Sequence, residues 1–72
     1  MQILNLLGLN CPLPVLKTKK FLATISSGEQ VKILTSDPAS VQDLNDFCQK
    51  TGNLLIEQQV NTDQIITIIE RR

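Results

Sequence analysis

The sequence contains no histidine, tryptophan or tyrosine, and only two phenylalanines and two cysteines among its 72 residues. Without histidine, Ser-His-Asp triads, Cys-His nucleophile pairs and His-ligated metal sites are all excluded. Two cysteines cannot complete a structural zinc site, which needs four ligands. The glycine-rich phosphate loop, the EF-hand pattern and the dinucleotide fingerprint are also missing. We therefore expect neither a bound metal nor a cofactor.

The sequence also lacks an excess of positive or negative charge, since seven Lys and Arg balance seven Asp and Glu. Nucleic-acid binding is not expected, because it requires a basic surface that displaces counterions. The longest apolar runs fall well short of the ~20 residues of a membrane span. The first residues lack the charged region and cleavage site of a signal peptide. We expect a cytoplasmic protein without membrane contact, in which thiols stay reduced.

Hydrophobic residues make up 42% of the chain, which is sufficient for one small globular domain spanning residues 1–72. Short apolar segments bounded by turn residues predict four strands. Two longer segments with apolar residues on one face predict helices. The strands are expected at residues 2–7, 31–35, 54–60 and 64–70, and the helices from 12 or 14 to about 26 and from 38 to 51. The short connection 61–63 predicts an antiparallel hairpin.

The order βαβαββ predicts an α+β fold, a two-layer α/β sandwich with a four-stranded mixed sheet. Right-handed crossovers would bring both helices to one face of this sheet. Their apolar faces are expected to form the core, with Val15, Thr18, Leu22 and Ile25 in the first helix and Val41, Leu44, Phe47 and Cys48 in the second. The other sheet face would be open. Leu55 and either Ile66 or Ile68 are expected on it.

Cys11 follows a Gly8-Leu9-Asn10 turn and immediately precedes the first helix. Ligands and chemistry gather at this end of strands in α/β folds. A helix dipole contribution of ~1 kcal/mol would lower the thiol pKa by ~0.7 and raise the thiolate fraction at pH 7 from ~3% to ~15%. Pro12 and Pro14 stiffen the junction and hold the sulfur outward. The alternative is a buried, inert cysteine at a helix start, and the residues alone leave both readings open.

The remaining polar candidates favour structural roles. Cys48 lies on the apolar face of the second helix and is expected to fill the core, away from any disulfide with Cys11. Asp37 precedes a proline at a helix start and is expected to cap that helix. Asp43 and Asp46 are expected to be solvated on its exposed face.

A second stripe on the first helix combines apolar and basic residues: Leu13, Leu16, Lys17 and Lys20. Spacings of three, four and seven bring these residues together on one face. The stripe could dock a partner protein with an acidic rim. Equally, the lysines could be solvated while Leu16 merely flanks the core.

Residues 6–14, Leu-Leu-Gly-Leu-Asn-Cys-Pro-Leu-Pro, resemble the signature of the TusA/SirA-like family of small sulfur-carrier proteins. That family shows a Gly-Leu-x-Cys-Pro-x-Pro pattern at this place, the CPxP motif. Later landmarks are also similar, namely Gly28-Glu29, Asp37-Pro38, Asp43, Phe47-Cys48 and Thr51-Gly52. The resemblance covers nearly the whole chain.

This resemblance implies a two-layer α/β sandwich whose Cys11 carries sulfur as a persulfide. Gly8, Pro12, Leu13 and Pro14 would shape how Cys11 is presented. Sulfur would arrive from a cysteine desulfurase or another donor protein and pass to an acceptor protein. Such a protein is a sulfurtransferase-type carrier rather than a stand-alone turnover enzyme.

Two positions depart from the family pattern. Asn5 stands where members often have an acidic residue, and Leu13 stands where the tRNA-thiolation member has one between the prolines. The resemblance therefore does not distinguish tRNA thiolation from molybdenum-cofactor sulfuration or related sulfur trafficking. The competing hypothesis is a non-catalytic interaction or regulatory module in which Cys11 is structural.

Overall fold

The computed structural model describes the whole chain, Met1–Arg72. Its elements are β1 (Gln2–Asn5), α1 (Leu13–Leu22), β2 (Gln30–Thr35), α2 (Ala39–Thr51), β3 (Leu54–Val60) and β4 (Ile65–Glu70). The predicted order βαβαββ is confirmed. Neither helix has the length and apolar character that crossing a membrane would require.

The four strands form one mixed sheet in the order β1-β2-β4-β3. β1 and β2 are parallel, whereas β4 pairs antiparallel with both β2 and β3. Because β1 and β2 are parallel, the segments that follow them emerge at the same end of the sheet. The turn that carries Cys11 therefore lies beside the segment that begins α2.

One face of the sheet packs against both helices. Strict alternation buries Val31 and Ile33 in β2, and it buries Ile69 in β4. Leu22 of α1 and Leu44 of α2 complete a single core, together with Leu6, Ile25 and Cys48. The α+β fold with two helices on one sheet face is confirmed.

The prediction for the open face was half wrong. Leu55 pairs with Ile69 and packs against the core, so it lies on the helix side. Ile66 and Ile68 both lie on the open face, since their neighbours Ile65, Thr67 and Ile69 are the buried residues of β4. A β-bulge at Ile56 then shifts the alternation of β3. Hydrophobicity alone could not assign these faces, because the sequence Ile-Ile-Thr-Ile-Ile is apolar on both sides.

Helix α1 also ends earlier than predicted, at Leu22 rather than near residue 26. The Thr24 backbone N–H and its hydroxyl both donate to the Phe21 carbonyl, at 2.9 and 2.6 Å, which turns the chain out of the helix. Gly28 was expected to cap the helix. Its φ of 88° is indeed left-handed, but it lies in the turn before β2, where its N–H donates to the Arg71 carbonyl at 2.8 Å.

Candidate functional site

The segment between β1 and α1 is a tight turn that is fastened to the neighbouring loop. Gly8 has φ +84°, a conformation that side chains with a Cβ rarely adopt. Its N–H donates to Ser36 Oγ at 2.8 Å, and Ser36 directly follows β2. This bond across 28 residues connects the two parallel strand ends. Gly8 thus lies in a turn that is fixed to the loop after β2.

Cys11 is exposed, and its backbone is held by Asp37. The Cys11 N–H donates to Asp37 Oδ2 at 2.8 Å, while the Ala39 N–H donates to Asp37 Oδ1 at 3.0 Å. Asp37 thus joins the first residue of α2 to the cysteine. The bonds from Cys11 and from Ala39 lower the pKa of the Asp37 carboxyl, because they stabilise its charged form.

The capping role predicted for Asp37 is confirmed, but its bond to Cys11 was missed. A signal for this second role was present in the sequence pattern. Two consecutive strand–helix units with parallel strands bring their connecting turns together, so a carboxylate after β2 can reach the turn after β1.

The prolines flank the start of α1. The Cys11–Pro12 peptide bond is cis. Leu13 is the first helical residue, and its N–H donates to the Asn10 carbonyl at 2.9 Å. Pro14 is buried, whereas Leu13 is exposed beside the cysteine. Helix α1 therefore begins at Leu13, between the two predicted starts at Pro12 and Pro14.

The predicted lowering of the Cys11 pKa is wrong: the pKa of this thiol is raised. The main cause is the Asp43 carboxylate, which lines the same groove as the sulfur and favours its protonated form. Partial desolvation and the negative charges of Asp43 and Asp37 raise the pKa further. Sequence analysis treated Asp43 as a solvated residue, but it is half-buried and lines the same groove as the cysteine. The sequence argument considered only the dipole of α1, which starts two residues after Cys11, and not these two carboxylates.

Cys11 opens onto a groove of about 450 Å³ between the two helices. The apolar side chains on its walls are Val15, Leu16 and Phe47. Asp43 and Asp46 contribute acidic groups and Lys19 and Lys50 basic ones, with Pro12 and Thr51 completing the lining. A partner's segment could therefore reach the sulfur along a surface that is partly apolar and carries both charges.

Only part of the predicted docking stripe faces this groove. Leu16 is half exposed on the groove wall. Lys17 and Lys20 are exposed on the neighbouring side of α1 and do not line the groove, whereas Lys19 does. The groove instead follows the adjacent stripe 12, 15, 16 and 19.

Cys48 is 4% exposed and belongs to the core, as predicted. Burial raises the pKa of its thiol. Both cysteines are free. No group of three or more side chains of the metal-ligating types is placed to hold a metal ion.

Comparison with known proteins agrees with this geometry. The family model "Sulfurtransferase TusA" matches residues 2–71. A sulfur carrier protein TusA of Allochromatium vinosum is 47% identical over 58 residues, 81% of this chain and 76% of the relative. A putative sulfur carrier protein of Neisseria meningitidis is 34% identical over 68 residues, 94% of this chain and 90% of the relative.

A solved structure is also similar. The crystal structure of a SirA-like protein from Desulfitobacterium hafniense superposes with a TM-score of 0.83 at 29% identity. The alignment covers 97% of this chain and 96% of that one. The sheet order, the exposed thiol at the first strand–helix junction and the match along nearly the whole sequence lead to one conclusion: this chain belongs to the TusA family of sulfur carriers.

Proposed function

We propose that Cys11 accepts sulfur as a persulfide from a cysteine desulfurase or another sulfur-donor protein and relays it to an acceptor protein. The observation that carries this proposal is the contrast between the two thiols. Cys11 is exposed at the mouth of a groove and held by its backbone, whereas Cys48 is sealed in the core. Membership of the TusA family supports a relay role for the chain.

The chemistry is thiol–disulfide exchange in which a sulfur atom is the group transferred. The Cys11 thiolate attacks the outer sulfur of a donor persulfide, so a new S–S bond forms on Cys11. The donor's own S–S bond breaks, and the donor thiolate leaves with the electron pair. In the second step an acceptor thiolate attacks the outer sulfur and Cys11 leaves as a thiolate. Neither step needs an external oxidant or a metal, because the sulfane sulfur moves in the same oxidation state.

Gly8, Pro12, Leu13 and Pro14 serve this exchange by presenting the sulfur. The bond from Gly8 to Ser36 and the start of α1 at Leu13 leave the thiol little backbone freedom. A fixed thiol loses less entropy when a partner's reactive sulfur docks against it. The proposed setting is the cytoplasm, where thiols stay reduced.

The proposed docking surface for these partners is the groove wall with Leu16, extended by Lys17 and Lys20 on the same helix. Leu16 offers exposed apolar area beside the thiol. The two lysines would meet an acidic rim on the partner protein. Electrostatic complementarity of this kind mainly raises the association rate.

The test is sulfur loading followed by intact mass measurement. The reduced protein is incubated with a cysteine desulfurase and cysteine, and a gain of ~32 Da that dithiothreitol removes is expected. Cys11→Ser should abolish this gain, whereas Cys48→Ser should retain it. Because Cys48 is a core residue, circular dichroism checks that this control is folded, with Cys48→Ala as a second control. Equal loading of the Cys11→Ser protein would reject the proposal and favour the interaction-module hypothesis.

A further inference from the structure

The side chains around Cys11 place negative charge, rather than positive charge, next to a sulfur that must become a nucleophile. A thiolate is the reactive form of cysteine, and neighbouring cations normally favour it. Here the Asp43 carboxylate lines the same groove as the thiol, and Asp37, which accepts from the Cys11 N–H, adds a second negative charge from the loop before α2. In the free protein, these two negative charges disfavour the thiolate form of Cys11.

The position of Asp43 in α2 is specific to this contact. Residues 43, 46, 47 and 50 form the stripe of α2 that faces α1 across the groove. Asp46 lies one turn further on, where Gln42 Nε2 donates to its Oδ1 at 2.9 Å. It lines the same groove, and its carboxylate already has this partner on its own helix. Lys19 from α1 and Lys50 from α2 also line the groove.

We propose that Asp43 is a positioning residue that keeps the Cys11 thiol protonated and slow to react in the free carrier, and that a positive group brought against the Asp43 carboxylate releases the thiol. The inference rests on Cys11 being the reactive sulfur of the proposed function. It goes further by naming how reactivity is withheld and which chemistry restores it. A docking partner would supply the positive group as a lysine, an arginine or a helix N-terminus.

The geometry supports release by a cation. The groove is open to solvent at Cys11, and Leu16 lies on the wall opposite Asp43 with 51% of its surface exposed. A cation at that wall could pair with Asp43, and the carboxylate would then no longer favour the protonated thiol. An opposite charge acts directly on a carboxylate when it lies within ~4–6 Å of it.

The test is the pH dependence of Cys11 alkylation by iodoacetamide, in which the thiolate displaces iodide. Peptide mass mapping reads Cys11 separately from Cys48, and no sulfur transfer is needed. Asp43→Asn is expected to shift the pH–rate curve to lower pH and to raise the rate at pH 7 several-fold. Asp46→Asn is the matched control, because it removes the same charge from the same groove and should leave the curve unchanged.

A second variant tests release. Leu16→Arg is expected to accelerate alkylation in the wild-type background, where Asp43 is present to pair with the new guanidinium. In the Asp43→Asn background the same substitution should have a clearly smaller effect, since coupled residues are non-additive. Thermal denaturation of each variant verifies that the fold is retained.

Two outcomes would overturn the proposal. One is an Asp43→Asn curve that coincides with the wild-type curve, and the other is an equal acceleration in Asp46→Asn. If alkylation behaves as expected but Cys11 never acquires sulfur, the restraint stands and the carrier role of Cys11 is wrong. If sulfur loads on Cys11 while the alkylation curves coincide, the carrier role stands and the restraint is wrong.

Discussion

Asp37 binds the backbone of Cys11 in addition to the start of α2. One of its carboxylate oxygens accepts from Ala39 and the other accepts from Cys11. The two strand–helix junctions are thus joined through a single side chain. The backbone N–H of Cys11 has no other hydrogen-bond partner in the turn. The Asp37 carboxylate is therefore the group that holds the backbone of Cys11 in place.

Asp37→Asn is expected to lower the thermal denaturation midpoint at pH 7. The folded state lowers the pKa of Asp37, so its stabilising contribution is present above the unfolded pKa of about 3.9. That contribution is lost as the pH falls through the lower folded value. The difference in midpoint between wild type and variant should therefore be larger at pH 7 than in strong acid.

The matched control is Asp63→Asn, because Asp63 is exposed in the connection between β3 and β4. This variant should denature like the wild type at both pH values. Equal sensitivity of the two variants, or a difference for Asp37→Asn that grows in acid, would contradict the assigned role.

At the scale of single elements, two buried threonines on neighbouring strands have opposite surroundings. Thr35 Oγ1 in β2 forms a 2.6 Å hydrogen bond with Ser40 Oγ of α2. Thr67 Oγ1 in β4 has no hydrogen-bond partner, although the residue is fully buried. A buried hydroxyl without a partner costs about 1–3 kcal/mol.

Thr67→Val is therefore expected to raise the free energy of unfolding by about 1 kcal/mol, since valine is nearly isosteric and favours strands. Thr35→Val should lower it, because the substitution leaves the buried Ser40 hydroxyl unpaired. Urea denaturation measures both variants. The same sign of change at both positions would show that hydrogen bonding does not explain these two sites.

Element boundaries show where sequence reasoning succeeds and where it stops. Strands β2, β3 and β4 were predictable to within a residue, whereas β1 ends at Asn5 and not at Leu7 as predicted. The start and end of α2 were predictable as well, because Asp37-Pro38 and Gly52 are local signals. Gly52 indeed ends α2 with φ 81°, and its N–H donates to the Cys48 carbonyl. The end of α1 was not predictable, because bonds from Thr24 to the Phe21 carbonyl close the helix inside a sequence that favours its continuation.

The candidate site was predictable only in part for a similar reason. Cys11 and its prolines are adjacent in sequence, so their arrangement follows from local rules. Asp43 and Asp37 come close to Cys11 from 32 and 26 residues away in sequence, through the packing of α2 and the pairing of β1 with β2. The error in the Cys11 pKa came from considering the dipole of its own helix without the charges of the neighbouring one.

At the scale of the whole molecule, the sheet has one face in the core and one that no element covers. Ile69 is fully buried under the helices. Its neighbour Ile68 pairs with Lys32 and Glu57 on the uncovered face and is only half-buried. Ile68 and Ile69 thus place the same type of side chain on the open face and on the core face of β4.

Ile69→Ala is expected to lower the free energy of unfolding by about 2–5 kcal/mol, because it leaves a cavity in the core. Ile68→Ala should lower it by about 1 kcal/mol, since that side chain is only partly buried. Urea denaturation with a common slope gives both values. Comparable losses would mean that the open face is closed by some other contact, such as association of two copies.

The strand directions place both chain termini at the same end of the sheet. β1 starts opposite Val31, and β4 finishes opposite Gln30, so both termini emerge beside the first residues of β2. Cys11 lies beyond the other end of β2, and the six residues of that strand span about 20 Å. A linker, a fused domain or an immobilising surface joined to either terminus would therefore lie at the end of the sheet opposite to Cys11.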